Sequence, residues 1–256
     1  MNVRPIASSS KGNAYVVEQD GAALLIDCGV SCKCLKAAID LSHLCGILIT
    51  HNHVDHVSGL KRLLACVNVP VYANAMTAEA VMAQERIDEN AFVCFENGQP
   101  FEVESFSVSP FSVPHDATDP VGYLVKVKSK SEKVKSADDA AFGSYFHGTD
   151  IGTPLDSVGL KLAEAEVATL ESNHDPVMLR TSRRPPSLVQ RIAGPRGHLS
   201  NDQACELVRK FASPRLRKLY LAHLSHQCNA AHLAIEAMKG TLREIGREDV
   251  ELEVAG

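Results

Sequence analysis

Residues Thr50-His51-Asn52-His53-Val54-Asp55-His56 place three imidazoles and a carboxylate within six positions. Cys45 to Ile49 lead into them as a short apolar run, which predicts a buried strand. Beyond them Val57, Leu60, Leu63 and Leu64 recur at helical spacing, which predicts a helix over 57–67. The cluster therefore sits between a core strand and a helix. Crowding so many donors at a strand end is costly unless a ligand uses them. Neutral imidazole and carboxylate are the nitrogen and oxygen donors that a divalent metal takes. The plain alternative is a solvated His-rich loop, but His-x-His-x-Asp-His directly after a strand is far more specific than a lone His-x-His.

These residues resemble the signature of the metallo-β-lactamase superfamily. The resemblance implies that His51 and His53 serve one metal and that Asp55 and His56 serve a second. Val113-Pro114-His115-Asp116, followed by Gly122-Tyr123, is similar to the motif whose single His completes the first metal. Its bland counterpart is a surface His beside a Pro turn. Gly148-Thr149-Asp150-Ile151-Gly152 resembles the turn whose Asp bridges the two metals, against an ordinary Asp turn. Ile151 stands where the family commonly has Thr, which removes a hydroxyl that could steady Asp150. Leu221-Ala222-His223-Leu224-Ser225 resembles the last motif. His223 is preferred over His226 because it directly follows the apolar run. Asp27 resembles the first superfamily motif, more often structural than a ligand. The implied cofactors are two divalent ions per chain, and an all-N/O donor set suits Zn²⁺, Mn²⁺ or Fe.

The remainder of the 256 residues reads as an ordinary globular enzyme: 45% apolar, 22% charged, net charge −5. That charge neither demands nor excludes nucleic acid. No run of ~18 apolar residues is present, and Met1 to Ala14 has no signal-like apolar core, so no membrane partner and a cytoplasmic location are expected. Eight Cys are then expected as free thiols. Cys28, Cys32 and Cys34 read as packing residues, with a thiol metal site as the rival.

Short strands are predicted at 2–7, 14–17 and 23–26, with Asp20-Gly21 as a hairpin turn. A helix over 33–41 leads to the strand before the His cluster. Past it come a strand at 71–73 and a helix at 77–84. From Phe92 the pattern turns to β-like runs at 92–95, 101–103, 106–113 and 123–127. Residues 128–141 are polar and charged, and read as an exposed hairpin loop that precedes a return strand at 144–147. The second half mixes helices at 154–162, 187–192, 201–211 and 230–245 with strands at 167–170, 219–222 and 250–254. Ser200 or Asn201 is the candidate N-cap of the 201–211 helix. No fixed-period repeat is visible. Periodicity alone gives α/β. The resemblance implies a four-layer αββα sandwich, the metallo-β-lactamase fold, as a single domain over 1–256.

Two further stretches narrow the likeness. Glu171-Ser172-Asn173-His174-Asp175 follows a strand, and Gly197-His198-Leu199-Ser200-Asn201 precedes a helix. With Ser8–Asn13 and Ser225–Asn229 they resemble the YycJ/WalJ-like family, related to tRNase Z and phosphodiesterases. That family implies a metal-dependent 5′→3′ DNA exonuclease with a role in DNA repair. Two cations roughly 4 Å apart can clamp a phosphate diester and lower the pKa of a water towards about 7. In this reading Asp55 orients the water, and protonated His198 binds the phosphate or protonates the leaving oxygen. Asn173, Ser200 and Asn201 are the candidate substrate contacts, although His198 and Ser200 also read as turn and cap residues. Arg180–Lys218 carries ten basic residues against Asp202 and Glu206, a net of +8, and could meet nucleic acid phosphates or simply face solvent. Alternatives on the same fold are a hydrolase of a small ester, thioester or cyclic phosphodiester, and a scaffold that keeps metal for stability.

Overall fold

The computed structural model describes residues 1–127 and 143–256; the loop expected at 128–141 lies outside the described residues. The chain opens with an antiparallel meander of β1 (Asn2–Ser9), β2 (Gly12–Gln19) and β3 (Ala22–Ile26). Asp20 and Gly21 turn the second hairpin with φ of 50° and 82°, the double left-handed geometry that matches strand twist. Helix α1 (Cys32–Ala38) then crosses to β4 (Leu44–Leu48). Two short helices, α2 (Val54–Val57) and α3 (Leu60–Leu64), cross to β5 (Val71–Asn74), and α4 (Ala75–Glu85) crosses to β6 (Phe92–Phe95). Strands β3 to β6 are parallel.

The second half repeats this plan. Four antiparallel strands, β7 (Phe101–Val103), β8 (Phe106–Ser112), β9 (Val121–Val127) and β10 (Ser144–Gly148), come first. Helix α5 (Asp156–Leu162) leads to the parallel strand β11 (Val167–Glu171). Helices α6 (Pro176–Thr181), α7 (Pro186–Ile192) and α8 (Asn201–Phe211) precede β12 (Lys218–Ala222), and α9 (Ala231–Glu244) precedes β13 (Glu251–Val254). Each sheet keeps its strands in sequence order. The repetition is topological, which is why no periodicity betrays it.

Alternation along β3 explains the layers. Leu24 and Ile26 point into the inter-sheet core with Tyr15, Leu48, Phe106, Tyr123 and Tyr145, while Leu25 faces outward to Leu35, Leu60 and Val81. On the far side Phe146, Leu170 and Leu221 meet Val158, Leu207 and Met238 of the second helical layer. Both faces of each sheet are covered, so the strands read as continuous apolar runs. The result is the four-layer αββα sandwich.

Three local expectations change. The helix over 57–67 is broken in two at Gly59, because a Cβ there would meet Val30 O at 1.9 Å and Gly59 N is bonded to Cys28 O. Helix α6 was not foreseen; Asp175 caps it through Met178 N and Pro176 opens it. Of Cys28, Cys32 and Cys34 only Cys28 is buried, so packing does not account for the exposed Cys34; all eight are free thiols.

His147 on β10 is buried between the sheets, 3.0 Å from Tyr145 Oη and edge-on to Tyr15. Burial depresses its pKa to about 4. An unfolded histidine titrates near 6.5, so below that pH the unfolded chain takes up a proton that the native chain refuses. Its contribution is intact above pH 6.5 and is lost as pH falls towards 4, by about 3 kcal/mol. Urea unfolding in EDTA at pH 7 and pH 5 is expected to show about 2 kcal/mol of this loss, and His147→Gln to flatten it. An equal slope in the variant would assign the acid sensitivity elsewhere.

Candidate metal centre

The expected donors arrive from the ends of four strands: 51–56 after β4, His115 after β8, Asp150 after β10 and His223 after β12, with Glu171 beside them at the end of β11. The donor atoms of His51, His53 and His115 lie within 4.8 Å of one another, as do those of Asp55, His56 and His223. Asp150 lies between the triads. Its Oδ2 is 3.3 Å from His56 Nε2, and its Oδ1 is 3.7 Å from His115 Nε2 and 3.3 Å from His223 Nδ1. His226 lines a separate groove with Ile6, Ser9 and Asn229. Three of the residues that hold this rim, Asp27, Asp150 and His223, have left-handed backbones with φ of 57–58°.

The outer nitrogens are tied down, and of the inner ones only His56 Nε2 has a hydrogen-bonding neighbour, Asn13 Nδ2 at 3.0 Å. His51 Nδ1 contacts Thr50 Oγ1 at 3.0 Å, His56 Nδ1 contacts Asp27 Oδ2 at 2.7 Å, and His115 Nδ1 donates to Gly197 O at 2.9 Å. His223 Nδ1 contacts Glu171 Oε1 at 3.0 Å. Such outer contacts fix tautomer and ring direction in metal-binding histidines. Inward, the Nε2 atoms of His51, His115 and His223 are buried without a hydrogen-bond partner. Each orphan costs about 1–3 kcal/mol unless a ligand satisfies it. The donor set therefore fits a pair of divalent cations.

The electrostatics agree. Burial, with His56 next to it, holds His51 far below the usual histidine range. His56 is instead held up at about 10: burial opposes its charge, but Asp27 and Asp150 overcome that. Burial would raise the Asp150 carboxyl, yet His223 and His56 drive it well below the usual range. Protons on His56 and His223 occupy the positions that cations would take, so metal uptake releases them.

Asp27 and three residues that the sequence reading gave no role support the donors. Asp27 accepts from Thr50 N and Oγ1 as well as facing His56, so the structural sense of its motif is realised here. Asn13 Nδ2 reaches Asp55 Oδ2 at 3.1 Å. Asp116 is held by Arg191 Nε at 2.5 Å beside His53 and His115. Glu171, wholly buried, accepts from Ile151 N and Leu199 N and touches both His198 Nδ1 (2.9 Å) and His223. His198 lies outside both triads, and Glu171 raises its pKa against the opposing effect of burial. The signal for Glu171 was present: a carboxylate closing an apolar run.

A cavity of about 160 Å³ opens onto His198 and His223, lined also by Asn173, Arg184, Arg191 and Ser225. Asn173 touches it, though its amide donates to His223 O. Ser200 and Asn201 take another place. Ser200 Oγ accepts from Gln203 N in a capping box, and Asn201 is bound to Ser172 and Asn229 inside the protein. The basic segment divides as well. Arg184 and Arg191 border the cavity, whereas Arg209, Lys210 and Lys218 are paired with Glu244, Asp156 and Glu251 on other faces.

Metal analysis tests the choice between the two nearby histidines. His223→Ala is expected to lose about one equivalent of metal, and His226→Ala to keep the wild-type content. The reverse would move the ligand to His226.

Residues 23–224 match the family model described as Beta-lactamase superfamily domain. The Bacillus anthracis protein named exodeoxyribonuclease YycJ is 32% identical over 252 residues, 94% of this chain and 89% of that one. The Streptococcus pneumoniae protein named exodeoxyribonuclease WalJ is 31% identical over 247 residues, 93% of this chain and 87% of that one. Among solved structures, the metallo-β-lactamase fold protein YhfI from Bacillus subtilis matches with a TM-score of 0.70 at 17% identity, over 99% of this chain and 95% of that one. Fold and donor set together define a metal-dependent hydrolase of the metallo-β-lactamase class. The chain belongs to that superfamily and, within it, to the YycJ/WalJ family. Among the described residues, no helix is long and apolar enough to cross a membrane.

Proposed function

We propose that the chain is a metal-dependent exonuclease that degrades DNA 5′→3′, in the cytoplasm and in the service of DNA repair. The observation that carries this is a seven-donor centre with a separate, carboxylate-oriented imidazole beside it, His198 on Glu171. The names of the two relatives above, both exodeoxyribonucleases, support DNA as the substrate. In this reading His51, His53 and His115 hold one cation, Asp55, His56 and His223 the other, and Asp150 is shared. Zn²⁺ or Mn²⁺ suits these donors, as does Fe. Two such cations, when bound, supply the charge that activates water and clamps a phosphate diester.

The chain's own groups do the rest. Asp55, steadied by Asn13, orients the attacking water. His198, kept protonated by Glu171, gives its proton to the leaving oxygen. Asn173 holds the backbone of His223 in place, and Ser200 and Asn201 support the loop that carries His198. The test is metal-reconstituted protein against 5′- and 3′-labelled DNA and RNA, single- and double-stranded, and a chromogenic phosphodiester. Mononucleotide release from DNA starting at the 5′ end is expected. Turnover of the small ester with none of DNA would instead favour a small-molecule hydrolase.

A further inference from the structure

The cavity beside the metal centre holds one cationic group whose hydrogen bonding is incomplete. Arg184 Nε is buried and has no partner among the described residues. Arg184 is half-buried, and a buried N–H left without an acceptor is costly. The carboxylate that shares the cavity, Asp116, is already taken by Arg191. Arg196, a neighbour in sequence, spends its Nε on His115 O.

The backbone at Arg184 is built to hold still. Its N–H donates to Ser182 Oγ at 3.4 Å, and Pro185-Pro186 follow directly and open α7. Leu188 and Ile192 of that helix form the apolar wall of the same cavity, with Ile192 buried against Leu179 and Cys228. Opposite lie His198, His223 and Ser225. Ser225 Oγ accepts from Cys228 N, so its O–H remains a donor. The edge of a guanidinium, Nε–H together with an Nη–H, forms a fork that matches two oxygens of one phosphate. The space takes a phosphate with a few waters, since a water's share of volume is roughly 30 Å³.

We infer that Arg184 is a positioning residue that seats a substrate backbone phosphate, the one adjacent to the phosphate being cleaved, in the cavity between α7 and His198. This rests on the nuclease reading above. The seat would fix which phosphate reaches the centre and so set the step length along the strand. It makes Arg184 differ in kind from the surface arginines of the segment, which add only diffuse attraction.

The test is a coupling measurement on the metal-loaded full chain. A short labelled DNA oligonucleotide is prepared with one neutral methylphosphonate at each position in turn. Binding is read by anisotropy on mixing, before turnover, and cleavage is followed separately. In the wild type, neutralising one phosphate next to the cleaved one should weaken binding about 10–100-fold, the scale of a charge-assisted bidentate contact. In Arg184→Gln that position should lose its effect while the others keep theirs. Arg184→Lys, which keeps the charge but not the fork, should restore only part of the coupling. Thermal midpoints close to wild type would establish that both variants are folded. The same methylphosphonate profile in wild type and Arg184→Gln, with DNA still cleaved, overturns the seat and leaves the nuclease reading standing. A coupled position with no cleavage of any nucleic acid leaves a phosphate contact at Arg184 but overturns the nuclease reading, and with it the placing of that contact next to a cleaved phosphate. No binding of the oligonucleotide by the wild type overturns both.

Discussion

Asp150→Ala is expected to abolish hydrolysis for practical purposes, lowering kcat/KM by about 10³–10⁵ with every substrate offered. The reason is its place between the triads, within 3.7 Å of donors from both. Removing it takes away the shared oxygen pair and one of the carboxylates that balance His56 and His223, leaving Asp27 and Glu171 to do so. Metal content should fall below two equivalents, by elemental analysis after dialysis. Since Asp150 sits at a φ of 57°, alanine also adds backbone strain. Asp150→Asn tolerates that geometry and separates the two effects. It should still fold in EDTA, less stable than the parent by the lost pairing with His56 and His223, yet remain nearly inactive with metal supplied. An Asn variant with two bound metals and substantial activity would remove Asp150 from the ligand set.

His198→Ala is expected to behave differently. Its ring is outside both triads, so metal content should stay near wild type. Glu171 keeps Ile151 N, Leu199 N and His223 as partners, so stability should change little. Turnover of DNA should fall about 10²–10⁴-fold, the usual scale for losing a positioned general acid. The loss should shrink for a nitrophenyl diester, whose leaving group departs without a proton. Asp150→Ala should show no such rescue. Metal loss in His198→Ala would make this histidine a ligand, which the proximity of its ring to Asp150 and Glu171 makes worth measuring. Full activity on DNA would reduce it to a turn residue.

What could be read in the sequence, and what could not, follows from how far each interaction reaches along the chain. His51, His53, Asp55 and His56 are neighbours on one loop and the helical turn that follows it, so spacing alone gathers them. His115, Asp150 and His223 each follow an apolar strand run, and strand ends meet in this class of fold. Asp27 and His56 are 29 residues apart and Glu171 and His223 are 52, and no local pattern records those contacts. Ser200 could be read two ways, and its position three residues before Gln203 favours the cap. The break at Gly59 was hidden because it depends on the loop at 28–30 packing against it. The doubled sheet plan was hidden for another reason. Topology can repeat while side chains do not.

The left-handed residues at the rim have a consequence for how such a chain changes over time. A non-glycine residue held at positive φ costs on the order of 1 kcal/mol or more. At Asp150 and His223 that cost coincides with the most crowded charges in the molecule. Glycine at either position would relax the backbone, but it would also take one partner out of the pairing among Asp150, His56 and His223. In the metal-free protein the two effects oppose each other, so backbone comfort alone does not erode the centre. The charge pairing that readies these side chains for cations also keeps an aspartate and a histidine where glycine would suit the backbone better.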